Sequence, residues 1–164
     1  MADLVHIVVF TVEGRRFALP LEVVDRVVRA VHITPLPRSP ALVLGIINVH
    51  GKLVPVIDLR ERCGVPQRET QLTDHFILTH TATRDIALRA DHVEVVACPR
   101  EKLTPVSSIV PEMQDVQELV DPGDGLLVVY NIALLLSKDE ECGLQEALGA
   151  ANQEGATSHE EAAV

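Results

Sequence analysis

The histidines that lie next to or near an aspartate are the first candidates for acid–base or metal chemistry in this chain, and they form two pairs with one further histidine between them. The pairs are Asp74-His75 and Asp91-His92, and His80 lies between them. A carboxylate beside an imidazole could move a proton or bind a metal if both side chains pointed to one place. Neighbouring side chains of a strand point to opposite faces, so neither pair converges by itself. The spacing therefore indicates neither a catalytic site nor a metal site.

The candidate nucleophiles are no better placed. Ser107-Ser108 lacks the glycines of a G-x-S-x-G nucleophile turn. Cys98 precedes a proline and is more typical of a small buried filler than of a reactive thiol. Together with Cys63 and Cys142 it forms no C-x-x-C pair, so we expect no zinc site and free thiols in a reducing compartment. The sequence therefore predicts a protein that is not an enzyme and has no cofactor.

Composition favours a single small domain with an aliphatic core. The chain has 164 residues, with three Phe, one Tyr and no Trp. The formal net charge is -10, but seven of the acidic residues lie in 139–164, where there is no Lys or Arg. A nucleic-acid-binding face would need an excess of basic residues, and a spanning helix would need about 20 apolar ones in a row. We expect a cytoplasmic protein with no nucleic-acid partner and no direct membrane insertion.

The most informative stretch is Leu44–Gly64, in which two apolar runs flank a His-Gly turn. Val, Ile and Leu dominate both runs and favour strands, and Gly51 can adopt the positive φ of a tight hairpin. Pro55 has no N–H to donate, which predicts an edge strand or a bulge at that point. Asp58 is placed to cap a short helical turn that Gly64 would end. The stretch predicts a hairpin that presents a surface.

Two further elements depend on weaker signals. Valines around Val24 fit a helical stripe, but β-branched residues prefer strands, and we favour a short strand that begins near Val24. Ser137 and Glu140 have the spacing of a capping box, which predicts a helix over about 137–148. Residues 151–164 are rich in Ala, Gly, Glu and Gln, and we expect them to form a disordered tail.

The chain contains a weak internal repeat. Phe17–Leu19 matches Ile86–Leu88 at an offset of 69 residues, and Leu53–Leu59 matches Leu126–Ile132 at an offset of 73. Two matches in the same order indicate two copies of one small β unit. The residue pairs made equivalent include Leu19 with Leu88 and Asp58 with Asn131. Because each half is too small to bury a good core alone, the two should pack together.

The hairpin residues 45–60, GIINVHGKLVPVIDLR, resemble the signature of CheW-like domains, the coupling proteins of bacterial chemosensory arrays. The segment 17–37, FALPLEVVDRVVRAVHITPLP, is similar to the entry of the first barrel in that family, and the resemblance covers about residues 4–137. It implies a mostly β fold of two small SH3-like β-barrel subdomains, in agreement with the repeat. It also implies a non-catalytic adaptor between the cytoplasmic tip of a methyl-accepting chemoreceptor and the regulatory domain of a chemotaxis histidine kinase.

The resemblance and the repeat together suggest boundaries and contacts. We expect one CheW-like domain over 1–150, with subdomain 1 at about 15–70 and subdomain 2 at about 4–14 and 71–136. The C-terminal helix and the tail would complete the chain. The resemblance also implies partner-binding residues on the first barrel, namely Val24, Arg26, Val27, Ile46, Asn48, His50, Gly51 and Val56.

Three positions depart from the family pattern. His50 replaces an arginine, Arg26 replaces an acidic residue, and Asn131 replaces an aspartate. His50 is either a partner contact or a turn residue that tolerates left-handed geometry. Val24 and Val27 are either an exposed apolar patch or core. The alternatives to a full coupling protein are an accessory variant that retains one interface and a peptide-binding β-barrel module outside chemosensing.

Overall fold

The fold is mostly β, as predicted. The computed structural model describes residues 3–81, 83–105, 116–120, 127–130 and 136–162, and the structural statements below refer to these residues. The strands and helices, in chain order, are β1 (Leu4–Val12), β2 (Arg15–Pro20), β3 (Val24–Arg29), β4 (Val43–Val49), β5 (Lys52–Ile57), α1 (Arg60–Cys63), β6 (His75–His80), β7 (Asp85–Ala90), β8 (His92–Pro99), β9 (Leu103–Pro105), β10 (Val116–Val120), β11 (Leu127–Tyr130) and α2 (Lys138–Ala162). No helix among these residues is long and apolar enough to cross a membrane.

The strands form two sheets with the same plan. The first sheet has the order β8-β1-β2-β11-β10-β9, and the second has the order β3-β6-β7-β5-β4. Read in these orders, β8, β1, β2, β11 and β10 of the first sheet correspond to β3, β6, β7, β5 and β4 of the second. The short β9 has no counterpart among the described strands. Each sheet also contains one parallel pair, β2 with β11 in the first and β5 with β7 in the second.

The register of these parallel pairs follows the spacing of the sequence repeat. Ala18 lies opposite Val129 in the first sheet, and Ala87 lies opposite Val56 in the second. The two alanines are 69 residues apart and the two valines 73, which are the offsets found in the sequence. Leu19 and Leu88 are both buried in one central cluster. The predicted partner of Asp58, Asn131, lies outside the described residues.

The sheets divide the chain differently from the predicted subdomains. We placed residues up to 14 and residues from 15 in different subdomains, but β1 and β2 pair along their length in one sheet. They are joined by the two-residue turn Glu13-Gly14, which has positive φ at both positions and leaves no room for a crossover. Likewise β6 and β7, assigned to subdomain 2, lie in the second sheet with β3, β4 and β5. Each sheet is therefore assembled from both halves of the repeat.

The second sheet is curled, so that its two edges approach each other. Its edge strands are β3 and β4. Just after β3, Thr34 forms a bridge to Ile46 of β4, with N–O distances of 2.9 and 2.8 Å between their backbone groups. Gly45 allows this approach, because a Cβ at that position would lie 2.2 Å from the carbonyl oxygen of Thr34. The two edges are thus joined through the backbone at this point.

Pro55 fits the second sheet without lying on an edge strand. The strand that contains it, β5, lies between β7 and β4. Its parallel pairing with β7 begins only at Val56, so the missing N–H of Pro55 removes no bond to β7. The antiparallel ladder between β4 and β5 carries an irregularity between Val43 and Gly45. The expectation of an edge or a bulge at Pro55 is therefore wrong, because β5 is an interior strand and the irregularity lies in β4, opposite Val56 and Ile57.

The main core lies between the two sheets and is closed by the C-terminal helix. Both sheets contribute aliphatic side chains to it, and the rings of Phe10 and Phe17 stack with centroids 5.6 Å apart. Leu144 and Ala147 of α2 are buried in the same cluster. The predicted capping box is present, since Ser137 Oγ accepts from Glu140 N at 3.1 Å and Glu140 Oε1 accepts from Ser137 N at 2.9 Å. The helix is thereby anchored at its first turns.

The same helix is longer than the sequence predicted. We expected it over about 137–148 and a disordered tail over 151–164, but it continues to Ala162. The added residues, 149–162, include four Ala and three Glu, which have high intrinsic helix propensity. Low hydrophobicity argues against a core contact, but it does not by itself exclude a helix.

Candidate partner-binding surface

The turn between β4 and β5 has backbone angles that are unfavourable for a non-glycine residue, and a side-chain hydrogen bond stabilises it. His50 and Gly51 have φ of 50° and 87°, as the two central residues of a type I′ turn require. Gly51 N donates to Asn48 Oδ1 at 2.8 Å, which fixes the loop against the preceding strand. A non-glycine residue with positive φ is uncommon, and His is among the types that tolerate it. The turn therefore presents the imidazole of His50 to solvent.

Beside this turn lies β3, which within the described part of the chain is paired on one side only, with β6. Val24 is half-buried and packs against the central core, whereas 37% of Val27 is exposed. Arg26 is exposed and follows a register shift in the β3–β6 ladder. We refer to the exposed side chains of β3 together with the His50-Gly51 turn as the β3–turn surface. It combines a free strand edge with an apolar side chain.

The structure brings two of the three departures from the family pattern into direct contact. Arg26 Nη2 and His50 Nε2 are 3.1 Å apart, on exposed side chains 24 residues apart in sequence. A guanidinium can only donate, so in this contact Arg26 Nη2 is the donor and His50 Nε2 the acceptor. Sequence reasoning treated the two substitutions as separate surface changes. They form one contact, which links the two edges of the curled sheet.

A cavity of about 370 Å³ lies beside this contact. Four of its ten lining residues are aliphatic, and the side chains at its rim include Arg26, His50, an aspartate that contacts a histidine and an aspartate that pairs with a lysine. His80 Nδ1 lies 2.8 Å from Asp25 Oδ1, and Lys52 Nζ lies 3.8 Å from Asp85 Oδ2. Thr79 also lines the cavity, and its Oγ1 is buried without a hydrogen-bond partner. The cavity is therefore apolar inside and charged at its opening.

Two of the predicted partner-binding residues are not available on this surface. Ile46 is 8% exposed and Val56 is fully buried, and both pack in the core of the domain. Their neighbours Ile47 and Ile57 are buried as well, so both faces of these two strands are covered at this point. Their place in the motif therefore reflects packing of the hairpin. The exposed members of the predicted set are Arg26, Val27, Asn48, His50 and Gly51.

A buried charge network beneath the hairpin was missed by sequence reasoning. Arg89 Nη2 donates to Asp58 Oδ2 at 3.0 Å, and the two side chains are 2% and 0% exposed. Arg89 also donates to Thr70 Oγ1 and to the carbonyl oxygen of Arg68. Burial lowers the pKa of Arg89, although the Asp58 carboxylate opposes that shift. Asp58 Oδ1 also accepts from Arg60 N at 3.0 Å, in the capping role predicted for it.

Of the residues first considered for catalysis, Asp74 and Asp91 are bound by Arg68 and His80 contacts Asp25, whereas His75 Nδ1 is buried without a hydrogen-bond partner among the described residues. Asp74 accepts two hydrogen bonds from Arg68, at 2.7 and 2.8 Å, and Asp91 accepts a third from Arg68 at 2.6 Å. Burial raises the pKa of Asp74, but the bonds and charge of Arg68 outweigh it and leave that pKa below its usual value. No group of three or more His, Cys, Asp or Glu side chains among the described residues is arranged to hold a metal.

The fold defines a class of small β-sheet protein with two related sheets, and its described surface offers a strand edge and a turn to other molecules. A family model described as the CheW-like domain matches residues 6–140, and the chain belongs to this family. It is 25% identical over 110 residues to the chemotaxis protein CheW of Rhizobium meliloti, covering 66% of this chain and 71% of the relative. It is 23% identical over 121 residues to the chemotaxis protein CheW of Thermotoga maritima, covering 74% and 80%.

A solved structure agrees with this assignment. The scaffolding protein TtCheW from Thermoanaerobacter tengcongensis superimposes with a TM-score of 0.74 at 27% identity, covering 85% of this chain and 96% of that one. The chain is therefore a member of a non-catalytic scaffold family of chemotaxis. The prediction that it is not an enzyme is confirmed.

Proposed function

We propose that this protein is a coupling protein that connects the cytoplasmic tip of a chemoreceptor to the regulatory domain of a chemotaxis histidine kinase. Its place would be in the cytoplasm, held at receptor arrays through these partners. The observation that carries the proposal is the β3–turn surface, in which a strand edge that no described strand pairs with, the exposed Val27 and a fixed turn lie together. An exposed edge strand is a ready template for association with another chain.

The curled second sheet and the shared plan of the two sheets support two small SH3-like barrels related by the internal repeat. We assign the edge of β3, with Val27, to the kinase contact, and the His50 turn to the receptor contact. A rim charge mainly changes association rate and partner choice. Because Arg26 and His50 alter the charge of this rim, we propose a specialised protein that does not replace an ordinary family member.

The test measures binding to a receptor tip fragment and to a kinase regulatory domain separately, with the wild type and two variants. Val27→Asp places a charge on the proposed kinase contact and should weaken kinase binding at least tenfold. Val95→Asp is the matched control, because Val95 is 59% exposed and lies on β8, an edge strand of the other sheet. Equal loss in both variants, or no loss in Val27→Asp, would contradict the assignment. Binding of only one partner would favour the accessory variant.

Specialisation is tested by changing Arg26 and His50 together. His50→Arg alone would set two guanidiniums at the 3.1 Å contact, and Arg26→Glu alone would remove the donor, so neither single change restores an ordinary surface. The double variant, Arg26→Glu with His50→Arg, places a carboxylate beside a guanidinium and so creates a pair of opposite charge. We expect only the double variant to couple a generic receptor and kinase. Wild-type protein that already couples them as well as an ordinary member would refute the specialisation.

A further inference from the structure

The first half of β5 borders a cleft instead of a neighbouring strand. Its pairing with β7 begins only at Val56, although β7 already starts at Asp85. Pro55 has no N–H with which this ladder could continue toward the preceding turn. Between the two chains lies a cavity of about 580 Å³, lined by residues 51–55, by residues 81 and 83–85 of the β6–β7 turn, and by Leu148 of α2. We refer to this cavity as the β5 slot.

Both walls of the β5 slot direct backbone hydrogen-bonding groups into it. The pair that flanks the two-residue turn between β4 and β5 is hydrogen-bonded, so the N–H and C=O of the next residue, Leu53, point away from β4. In the β6–β7 hairpin, Thr81 N donates to Arg84 O at 2.8 Å. The same alternation directs the N–H and C=O of Asp85 away from β6 and toward β5. Within the described residues, neither Leu53 nor Asp85 has a ladder partner on its slot side.

The walls are held in place by contacts that an occupant need not disturb. Thr81 Oγ1 accepts from Arg84 N at 3.2 Å, which fixes the β6–β7 turn. Arg84 Nη2 donates to Gln145 Oε1 at 2.8 Å and so anchors this wall to α2. Lys52 Nζ and Asp85 Oδ2 lie 3.8 Å apart and connect the two walls, but an exposed ion pair of this kind contributes little. The slot is therefore preformed, which lowers the entropic cost of binding.

We propose that the β5 slot binds a short extended segment of a protein partner, which pairs through its backbone with Leu53 and Asp85. An extended chain carries N–H and C=O groups on both of its edges, as two facing walls of this kind require. Leu53, which is 40% exposed, and Leu148 supply apolar contact. The open part of β5 is about 10 Å long, so the paired part of the segment has about three residues. In this mode of recognition the main-chain hydrogen bonds provide affinity.

The slot adjoins the β3–turn surface without including β3. Gly51 belongs to both, and Lys52 lines both the slot and the cavity beside Arg26. A partner that docks on the β3–turn surface is therefore close enough to place a segment in the slot. The inference goes beyond the proposed function, which concerns the edge of β3 and the turn, and it rests on that function only for the choice of partners to be tested.

The first experiment tests the slot by itself. A short blocked peptide of alternating Thr and Val is titrated into the full chain, and the backbone amides of Leu53 and Asp85 are followed by NMR. We expect saturable shifts and slower hydrogen exchange at both amides, because pairing protects an N–H from water. Leu53→Pro removes the slot-facing N–H and no bond to β4, so it should bind the peptide roughly three- to tenfold more weakly than Leu53→Ala, which keeps the N–H. Equal affinities of the two variants, or no protection in the wild type, overturn the proposal.

A second pair of variants makes the test independent of any damage that proline does to the strand. Thr83→Trp places a large ring on the exposed wall of the slot, and Thr73→Trp is the matched control in an exposed loop outside it. We expect Thr83→Trp to weaken peptide binding roughly tenfold or more by steric overlap, and Thr73→Trp to leave it unchanged. The same loss in both variants, or a loss in neither, contradicts binding in the slot.

The second experiment asks which partner supplies the segment and separates this inference from the proposed function. Hydrogen exchange at Leu53 and Asp85 is measured in complexes with the receptor tip and with the kinase regulatory domain, using wild type and Thr83→Trp. Protection in either complex that is lost in Thr83→Trp supports the slot as a further contact. If both partners bind and neither protects these amides, the coupling function stands and the slot is refuted. If neither partner binds, the proposed function fails, and the peptide titration decides the slot by itself.

Discussion

The buried pair between Asp58 and Arg89 offers a quantitative test of how the hairpin is held in place. Asp58→Asn preserves the shape of the side chain and its Oδ1, which accepts from Arg60 N, but removes the charge that faces Arg89. The guanidinium would then remain in the core without its hydrogen-bonded counter-charge, with the carboxylate of Asp74 as the other acid acting on it. Breaking a buried pair from one side costs about 3–5 kcal/mol, because a charge is left uncompensated.

The structure places the expected cost at the lower end of that range. Arg89 would still donate to Thr70 Oγ1 at 2.9 Å and to the carbonyl oxygen of Arg68 at 3.0 Å. We therefore expect a loss of about 3 kcal/mol in the free energy of unfolding. In a chain of this length each kcal/mol changes the Tm by about 2–4 °C, so the Tm should fall by about 6–12 °C.

The assay is urea and thermal unfolding followed by circular dichroism, with two comparison variants. Asp85→Asn removes an exposed pair with Lys52 and should change the free energy of unfolding by no more than about 0.5 kcal/mol. Asp58→Asn combined with Arg89→Met should lose less than Asp58→Asn alone, because the guanidinium that Asp58→Asn leaves without its partner is also removed. A loss below about 1 kcal/mol in Asp58→Asn, or strictly additive losses in the double variant, would refute the reasoning.

Three further predictions concern stability. Because the pKa of Asp74 is held below its usual value, its stabilising contribution is present above the pKa of the unfolded chain and is lost as the pH falls through the folded pKa. Denaturant unfolding between pH 7 and pH 3 should therefore lose less stability in Asp74→Asn than in wild type. Gly45→Ala should destabilise the fold by at least about 3 kcal/mol in thermal unfolding, because a Cβ there overlaps backbone atoms. Gly64→Ala should cost only about 1–2 kcal/mol, because its Cβ would meet nothing within 4 Å and the cost is that of the left-handed backbone. Leu144→Ala should lower the free energy of unfolding by about 2–5 kcal/mol, because this side chain is fully buried. Deletion of 151–164 should lower the Tm by less than about 2 °C, and a larger fall would show that the tail is packed.

The sequence predicted those features that depend on local chemistry. Runs of Val, Ile and Leu indicated the strands, the Ser137 to Glu140 spacing indicated the capping box, and Asp58 was recognised as a cap. Features that depend on distant partners were missed. Arg89 lies in a strand of buried residues, and a sequence alone does not tell which carboxylate meets it. Subdomain boundaries failed for the same reason, because strand exchange between the halves leaves no local signal.

The contact between Arg26 and His50 was out of reach for a geometric reason. The strands β3 and β4 are opposite edges of the second sheet, so pairing rules place them far apart, and only the curl of the sheet brings them together. The degree of curl depends on Gly45, whose missing Cβ lets Thr34 approach the other edge. A glycine in a strand indicates a close approach of backbone, but it does not name the segment that approaches.

Two contacts join the edges of the second sheet, one between backbone groups and one between exposed side chains. We expect the first to contribute to folding and the second to partner recognition. At Thr34 and Ile46 the edges are joined by backbone hydrogen bonds that no partner can replace without unfolding the strand. At Arg26 and His50 they are joined by one exposed side-chain contact, which a partner can replace while the backbone stays in place. Arg26→Met should therefore alter partner choice with little change in Tm, and Asp58→Asn should lower the Tm with little change in partner preference. If Arg26→Met lowered the Tm as much as Asp58→Asn, the rim contact would be part of the framework of the fold, and a partner could not exchange for it.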